Sequence, residues 1–265
     1  MALIDTQPGQ RTDLESPVRN RYFYGKLLDV YHFQLETHYF NAKRHLLNRL
    51  VSGYGVLAGL DVECGADPRH IVLHPGLAID KWGRELVVPE ATAPIPIPAD
   101  VAQDAIDHPP PSANPGQAQP QPASGVVRVL LCHHECESDP TPVLAGDCGT
   151  VAECEPGTIR ERYRVVFKAG AAPPVQLGCQ IPELIFNNKI DHSALAKWVT
   201  ESTAEPAPDP CIPLANITVT ADGGHACDPG RIDITIRPIV YTNDLLFDII
   251  LALMKPATVD SRRAK

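Results

Sequence analysis

The chain has 265 residues, 44% of them hydrophobic and 21% charged, which is typical of a folded protein with one large core or two small ones. Its 23 basic and 32 acidic residues give a net charge of −9, which disfavours nucleic acid as a partner. The longest apolar run, Leu245 to Met254, is too short to cross a bilayer, and the N-terminus lacks the pattern of a signal peptide. We therefore expect no membrane span, and synthesis in the cytoplasm.

The N-terminal part predicts an arm followed by a helix. Residues 1–18 are polar and contain Pro8 and Pro17, so they indicate an extended arm without a core of its own. An amphipathic helix follows, with Asp29 as its N-cap and its end near Ser52 and Gly53. Its predicted apolar stripe consists of Phe33, Phe40 and Leu47, which recur every seven residues, together with Tyr39, Leu46 and Leu50.

From Val56 onward the pattern is that of β-structure. Short apolar runs are separated by Gly, Pro or Asp, and Asp80 to Gly83 predicts a tight hairpin. The predicted strands are Gly59–Val62, His70–Leu73, Leu77–Ile79 and Glu85–Val88. Residues 19–106 thus form a helix plus β-hairpin region, which a proline-rich surface loop, 107–125, separates from a β-rich region, 126–265.

The β-rich region ends in an unusually apolar helix. Strands are predicted at Val126–Cys132, Arg162–Phe167, Leu214–Thr220 and Arg231–Arg237, and a short helix at Ser193–Val199. The final helix, Asp244–Met254 with Asn243 as its cap, is apolar nearly all round. We expect this helix to be buried, either between layers of its own domain or by a neighbouring subunit. The expected fold class is α+β, mainly β, with short strands, proline-rich loops and a buried C-terminal helix.

The cysteines divide into a cluster and a scattered set. The candidate metal ligands, within 23 residues, are Cys132, His134, Cys136, Cys148 and Cys154. Thiolates and imidazole are ligands that zinc accepts, so a structural zinc site is one interpretation; a buried strand end followed by an acidic loop is the other. No other cofactor is expected. The scattered residues Cys64, Cys179, Cys211 and Cys227 are interpreted as small core residues with reduced thiols.

No catalytic arrangement stands out. The chain has no Gly-x-Ser-x-Gly turn, and the acidic surroundings of the cysteine cluster disfavour a reactive thiolate. A solvated loop is the more typical setting for the carboxylates of Glu135, Glu137 and Asp139. Hydrolysis of cell-wall or glycan material is nevertheless one hypothesis for them, besides the two non-catalytic functions given below. We expect no enzymatic activity.

Two groups of residues are candidate interaction sites. Tyr22, Phe23 and Tyr24 are consecutive aromatics followed by Lys26, and consecutive residues of an extended strand point to opposite faces. At least one of the three is therefore expected to be exposed or to insert into a neighbour, unless the cluster packs on the first helix. Leu246 and Ile250 are the candidates on the final helix.

Several segments resemble one bacterial family. They are RNRYFYGKLLDVYHFQLETHYFNAKRHLLNRLVSGYGVLAGLDV at 19–62, HPGLAIDKWGRELVVP at 74–89, ECESDPTPVL at 135–144, IRERYRV at 159–165 and RPIVYTNDLLFDII at 237–250. The family is encoded beside phage-tail-like contractile injection systems. The resemblance implies a non-catalytic structural component, at the baseplate or another end of the tube–sheath assembly.

The resemblance also implies partners, which would be other tail, baseplate or sheath–tube proteins. The chain would be oligomeric in a particle. That particle would be assembled in the cytoplasm and then released or kept with the cell. The alternative function, based on the cysteine cluster, is a zinc-stabilised binding or adaptor module that recruits a fibre, cargo or surface ligand.

Overall fold

The computed structural model describes residues 17–109, 124–143, 154–175, 184–186, 189–201, 207–221 and 225–254. Most of the predicted arm and of the loop 107–125 lies outside these residues, as do Cys148 and Cys179. No helix in these ranges is long and apolar enough to cross a membrane.

The described residues form an α+β fold that is mainly β, as the sequence predicts. The helices are α1 (Val30–Leu47), continued by a π-helical turn (Asn48–Ser52), α2 (Ala99–Asp107), α3 (His192–Glu201) and α4 (Asn243–Met254). The first six strands are β1 (Gly55–Gly59), β2 (Val62–Cys64), β3 (His70–Leu73), β4 (Gly76–Ile79), β5 (Glu85–Val88) and β6 (Ile95–Pro96). The others are β7 (Ser124–Pro142), β8 (Cys154–Ala169), β9 (Ile185–Phe186), β10 (Lys189–Ile190), β11 (Ile212–Thr220) and β12 (Ala226–Asp233).

Antiparallel sheets enclose one core. Their strand orders are β1–β4–β5, β2–β3–β6 and β12–β11–β7–β8, and β9 pairs with β10 separately. Buried side chains from all three larger sheets meet in a single hydrophobic cluster that includes Leu60, Leu86, Leu131 and Ile217. The β-structure therefore completes its own core and does not need α1 or α4 to cover it.

Two predicted strands are much shorter than the strands observed. Val126–Cys132 is part of β7, which continues to Pro142, and Arg162–Phe167 is part of β8, which begins at Cys154.

Two other strand predictions include turns. Gly59–Val62 is the break between β1 and β2, where Leu60 has a φ of +59° and a fully buried side chain. Arg231–Arg237 extends past the end of β12 at Asp233, whose carboxylate accepts a hydrogen bond from the Thr235 amide at 2.9 Å. In both cases a local turn interrupts a sequence pattern that predicts a continuous strand.

Helix α2 was not predicted. Ala102 and Ala105 are fully buried against β7, and a Cβ atom at Gly125 would lie 2.2 Å from the Ala105 carbonyl carbon. The small residues on both sides allow a close helix–strand approach. An apolar pattern at Val101, Ala102 and Ala105 carries the signal, but the helix has 9 residues, little more than two turns.

Two disulfides overturn the expectation of reduced core thiols. Cys64 of β2 is bonded to Cys227 of β12, and Cys132 of β7 is bonded to Cys211 just before β11, with sequence separations of 163 and 79. Both connect segments that the fold brings together and that are remote in sequence. Spacing along the chain therefore gave no signal of the pairing.

The hairpin between β4 and β5 holds α1 to the β-structure. Asp80 is fully buried, and its Oδ1 accepts hydrogen bonds from the Trp82 and Arg84 amides at 2.9 Å each. Its Oδ2 accepts one from the Arg84 side chain at 2.7 Å. The Arg84 guanidinium also lies 4.7 Å from the centre of the Trp82 ring. These contacts fix the four-residue turn that the sequence predicted.

Both sides of this turn are covered. On one side, Asn48 in the π-helical turn donates from its Nδ2 to the Gly83 carbonyl at 2.9 Å and to Glu85 Oε1 at 2.8 Å. A Cβ atom at Gly83 would lie 2.0 Å from the His45 carbonyl oxygen, and the φ of Gly83 is +88°, so glycine is required there. On the other side, the Trp82 indole donates to the Ala207 carbonyl at 2.8 Å. We call Asp80 to Glu85, with these contacts, the hairpin clasp.

Burial at the clasp acts on a nearby histidine. It lowers the pKa of His45 below its usual value, and the charge of Arg44 lowers it further. His45 therefore favours its neutral form where α1 meets the hairpin.

Replacing Asp80 with Ala should lower the free energy of unfolding by about 2–4 kcal/mol, because the half-buried Arg84 guanidinium and two amides lose their buried acceptor. Urea unfolding of the purified chain measures this. Asp67→Ala is the matched control: Asp67 also accepts from the backbone and side chain of the arginine two residues on, but both side chains are substantially exposed. That change should cost less than about 1 kcal/mol. Equal losses for the two variants would contradict a structural role for burial of the clasp.

Each disulfide should contribute about 2–4 kcal/mol, because it closes a long loop and restricts the unfolded chain. We expect Cys64→Ser and Cys132→Ser to lower the urea midpoint by corresponding amounts, and reductant to lower it for the unmodified chain. Cys136→Ser, which removes a free and exposed thiol, should leave the midpoint unchanged. Identical midpoints with and without reductant would show that these bonds do not stabilise the fold.

Candidate interaction surface

Helices α1 and α4 leave the β-structure from neighbouring points. The Val56 amide of β1 donates to the Pro238 carbonyl at 2.8 Å, and the Val240 amide donates to the Val56 carbonyl at 3.1 Å. The π-helical turn that continues α1 ends three residues before β1, and α4 begins three residues after Val240. One backbone junction therefore fixes both the C-terminal end of the α1 segment and the N-terminal end of α4.

Gly55 makes this junction close. Its φ is +139°, and a Cβ atom there would lie 2.4 Å from the Pro238 carbonyl oxygen. Any other residue would push the segment before α4 away from β1. Gly55 thus has a specific packing role at this position.

Helix α1 begins as predicted, but none of its residues is buried. Asp29 Oδ1 accepts a hydrogen bond from the His32 amide at 3.2 Å, which confirms the N-cap, and the bond to the His32 side chain lowers the pKa of Asp29. Phe33, Phe40 and Leu47 are 58–61% exposed. Tyr39 and Leu46 are half-buried on another side of the helix, so the predicted single stripe is divided between two faces.

The aromatic cluster before α1 is partly tied to the helix. The Tyr22 hydroxyl donates to the Glu36 carboxylate, and Lys26 Nζ lies 6.0 Å from the centre of the Phe23 ring. Lys26 also donates to the Arg21 carbonyl at 3.1 Å. Tyr24 is fully exposed and Phe23 is largely so. The cluster therefore offers aromatic surface next to the first turns of α1.

The expectation of a C-terminal helix buried in its own domain is wrong. No residue of α4 is buried; Leu246 is 43% exposed and Ile250 is 52% exposed. The cap is also one residue earlier than predicted, because Thr242 Oγ1 accepts a hydrogen bond from the Leu245 amide at 3.2 Å. No residue of α4 belongs to the core cluster, and its apolar side chains project outward. The exposed members are Leu246, Phe247, Ile249, Ile250, Leu251, Leu253 and Met254.

The segment with the candidate zinc ligands forms a two-stranded ribbon. β7 and β8 stay paired from Arg128 opposite Lys168 as far as Pro142 opposite Cys154, and the part beyond His134 is mostly exposed. Near its end, Arg160 donates to both oxygens of Asp139 at 3.1 Å. Hydrogen bonds from Thr158 and then Arg160 lower the pKa of Asp139. Of the predicted acidic residues, Asp139 is therefore paired with a basic residue across the ribbon, whereas Glu135 lies opposite Glu161.

The ribbon does not bring the candidate zinc ligands together. The sulfur of Cys132 is bonded to Cys211, and Cys136 and Cys154 are free and exposed. Cys136 lies six residues along the ribbon from the pair that contains Cys154, which is about 20 Å at a strand's rise. Over the described ranges, no three His, Cys, Asp or Glu side chains form a metal-binding group. The predicted Cys148 lies outside those ranges.

Comparisons with known proteins give only distant similarity. No protein-family model matches the sequence, and no curated protein matches it significantly. Among solved structures, the chain is similar to TssK in a crystal structure, at 14% identity and a TM-score of 0.41. It is also similar to a chain of the type VI secretion system baseplate complex (12%, TM-score 0.37) and to one of the TssK–TssF–TssG baseplate subcomplex (12%, TM-score 0.32).

The three matches cover 90%, 90% and 83% of this chain, but 46%, 66% and 62% of the others. The chain thus spans less than two thirds of each similar chain. At TM-scores below 0.5, these similarities do not establish a common fold.

Proposed function

We propose that this chain is a non-catalytic structural component of a contractile injection particle, at the baseplate or another end of the tube–sheath assembly. The observation that carries the proposal is that the C-terminal end of α1 and the N-terminal end of α4 lie at one junction. Neither helix has a buried residue, although both bear large apolar side chains. The partners that would cover them are other tail, baseplate or sheath–tube proteins.

The energetic reason is the amount of apolar surface left in water. Seven large apolar side chains of α4 are exposed, and burial of one such side chain is worth about 1.5–3 kcal/mol when complete. Contiguous exposed patches of this kind mark protein interfaces. The β-structure already has its own core, so contact with another protein is the way to remove this surface from water.

The sequence resemblance supplies the class of particle. The segments 19–62 and 237–250, which carry its first and last motifs, include α1 and most of α4. Two of the five segments of resemblance therefore contain the exposed helices and the junction between them.

The disulfides bear on where the particle functions. We infer that the chain is made and assembled in the cytoplasm and that the particle is released or displayed at the cell surface. Disulfides persist in oxidising surroundings and are rare in the cytosol, so Cys64–Cys227 and Cys132–Cys211 support an exposed, extracellular location of the mature chain.

The test uses charged residues on α4. Leu246→Asp and Ile250→Asp should change the free energy of unfolding by less than about 1 kcal/mol, because about half of each side chain is already exposed to solvent. The same changes should lower incorporation into purified particles at least tenfold, because a charge would be desolvated at the interface. Quantitative mass spectrometry of particles from the native producer measures incorporation.

Val199→Asp is the matched control. Val199 is a helical residue that is 66% exposed on α3, which is not part of the proposed surface. This variant should enter particles normally. Normal incorporation of Leu246→Asp and Ile250→Asp would contradict the proposed role of α4, and a stability loss of several kcal/mol would show that the helix is packed within the fold.

A further inference from the structure

We infer that α1 pairs antiparallel with α1 of a second copy of this chain. The inference starts from a row of six residues with alternating spacings of three and four: Val30, Phe33, Thr37, Phe40, Arg44 and Leu47. We call this row the α1 seam. All six residues are exposed, and the row extends from the first residue of α1 to its last. Such spacing is that of the a and d positions of a coiled coil.

The rest of α1 faces elsewhere. The half-buried residues of the helix lie off the seam, and contacts with the hairpin clasp are made by His45 and Asn48 at its C-terminal end. Arg44 is the seam residue that reaches the clasp, through an ion pair of 3.3 Å between its Nε and Glu85 Oε1. The chain's own fold therefore leaves the length of the seam open to a second helix.

One antiparallel register pairs every seam residue with another. It places Val30 opposite Leu47 of the second copy, Phe33 opposite Arg44 and Thr37 opposite Phe40, each pair occurring twice by symmetry. Two apolar contacts thus lie at the ends. The flat guanidinium of Arg44 can cover the Phe33 ring, which is a favourable contact between a cation and an aromatic face.

The flanking charges select this register. Glu36 and Lys43 occupy the same edge of the seam, at the g positions, and in this register Glu36 lies opposite Lys43 of the second copy. A shift of one heptad either way would put Glu36 opposite Glu36 or Lys43 opposite Lys43. A parallel pair would stack Arg44 on Arg44 and put asparagines opposite both charges. Only the antiparallel, fully overlapping pair makes opposite charges meet.

Both flanking side chains are held near that edge in the single chain. The Tyr22 hydroxyl donates to Glu36 Oε2, which leaves the second carboxylate oxygen for a lysine. Lys43 Nζ lies 5.3 Å from the centre of the Tyr39 ring, one turn earlier on the helix. The occupant to which the seam is complementary is thus the same helix of a second copy.

This inference deepens the assembly role proposed above, and the two can fail separately. Sedimentation velocity of the purified full chain tests the pairing, whereas particle incorporation of α4 variants tests the assembly role. We expect a reversible dimer, and Phe40→Asp should shift it to monomer. His38→Asp, an exposed position on the same helix off the seam, should leave the dimer intact.

A charge exchange gives the sharper result. Glu36→Lys and Lys43→Glu should each weaken the dimer about tenfold, because each turns two attractive pairs into repulsive ones. The double variant restores opposite charges and should return the dissociation constant to within about threefold of the unmodified chain. A monomeric unmodified chain, equal effects of Phe40→Asp and His38→Asp, or no rescue in the double variant would each overturn the pairing.

Discussion

The buried Asp80 carboxylate organises the molecule around it. Three donors from two residues converge on this one side chain, and the turn that they fix is contacted by α1 from one side and by the segment before β11 from the other. A buried charge is tolerated only when it is paired and hydrogen-bonded, so Asp80 and Arg84 depend on each other. The direction in which α1 leaves the β-structure follows from this turn, because the end of α1 has few other contacts with the sheets.

The consequence is a division between a self-sufficient body and projecting helices. The three larger sheets share one core, and Cys64–Cys227 connects two of them. Cys132–Cys211 joins neighbouring strands within the largest sheet, so the body does not require a partner to fold. Helices α1 and α4 differ from this body because they expose large apolar side chains to water, which does not stabilise a monomer. Because the end of the α1 segment and the start of α4 both lie near Val56, a partner bound to one helix has a defined position relative to the other helix.

Local signals in the sequence predicted local structure well. The cap at Asp29, the hairpin at Asp80 and the run at Val126 are each encoded by adjacent residues, and each is present. The disulfides and the exposure of α4 depend instead on which segments meet in space. A helix that is apolar all round predicts burial, but the pattern does not indicate whether the same chain or another chain covers it. In this fold the core cluster contains no residue of α4, so the same chain does not bury it. The α1 seam is visible in the sequence as three–four spacing, but its exposure is known only from the fold.

The central claim is that α1 and α4 are covered by other protein molecules in the assembled particle. Hydroxyl-radical footprinting with mass spectrometry measures this at Phe33, Phe40 and Phe247, which are exposed in the single chain. The account predicts strong oxidation of these residues in the dilute purified chain and severalfold protection in intact particles, with Trp198 on α3 as the internal reference. Equal oxidation of the three phenylalanines in both samples would contradict it.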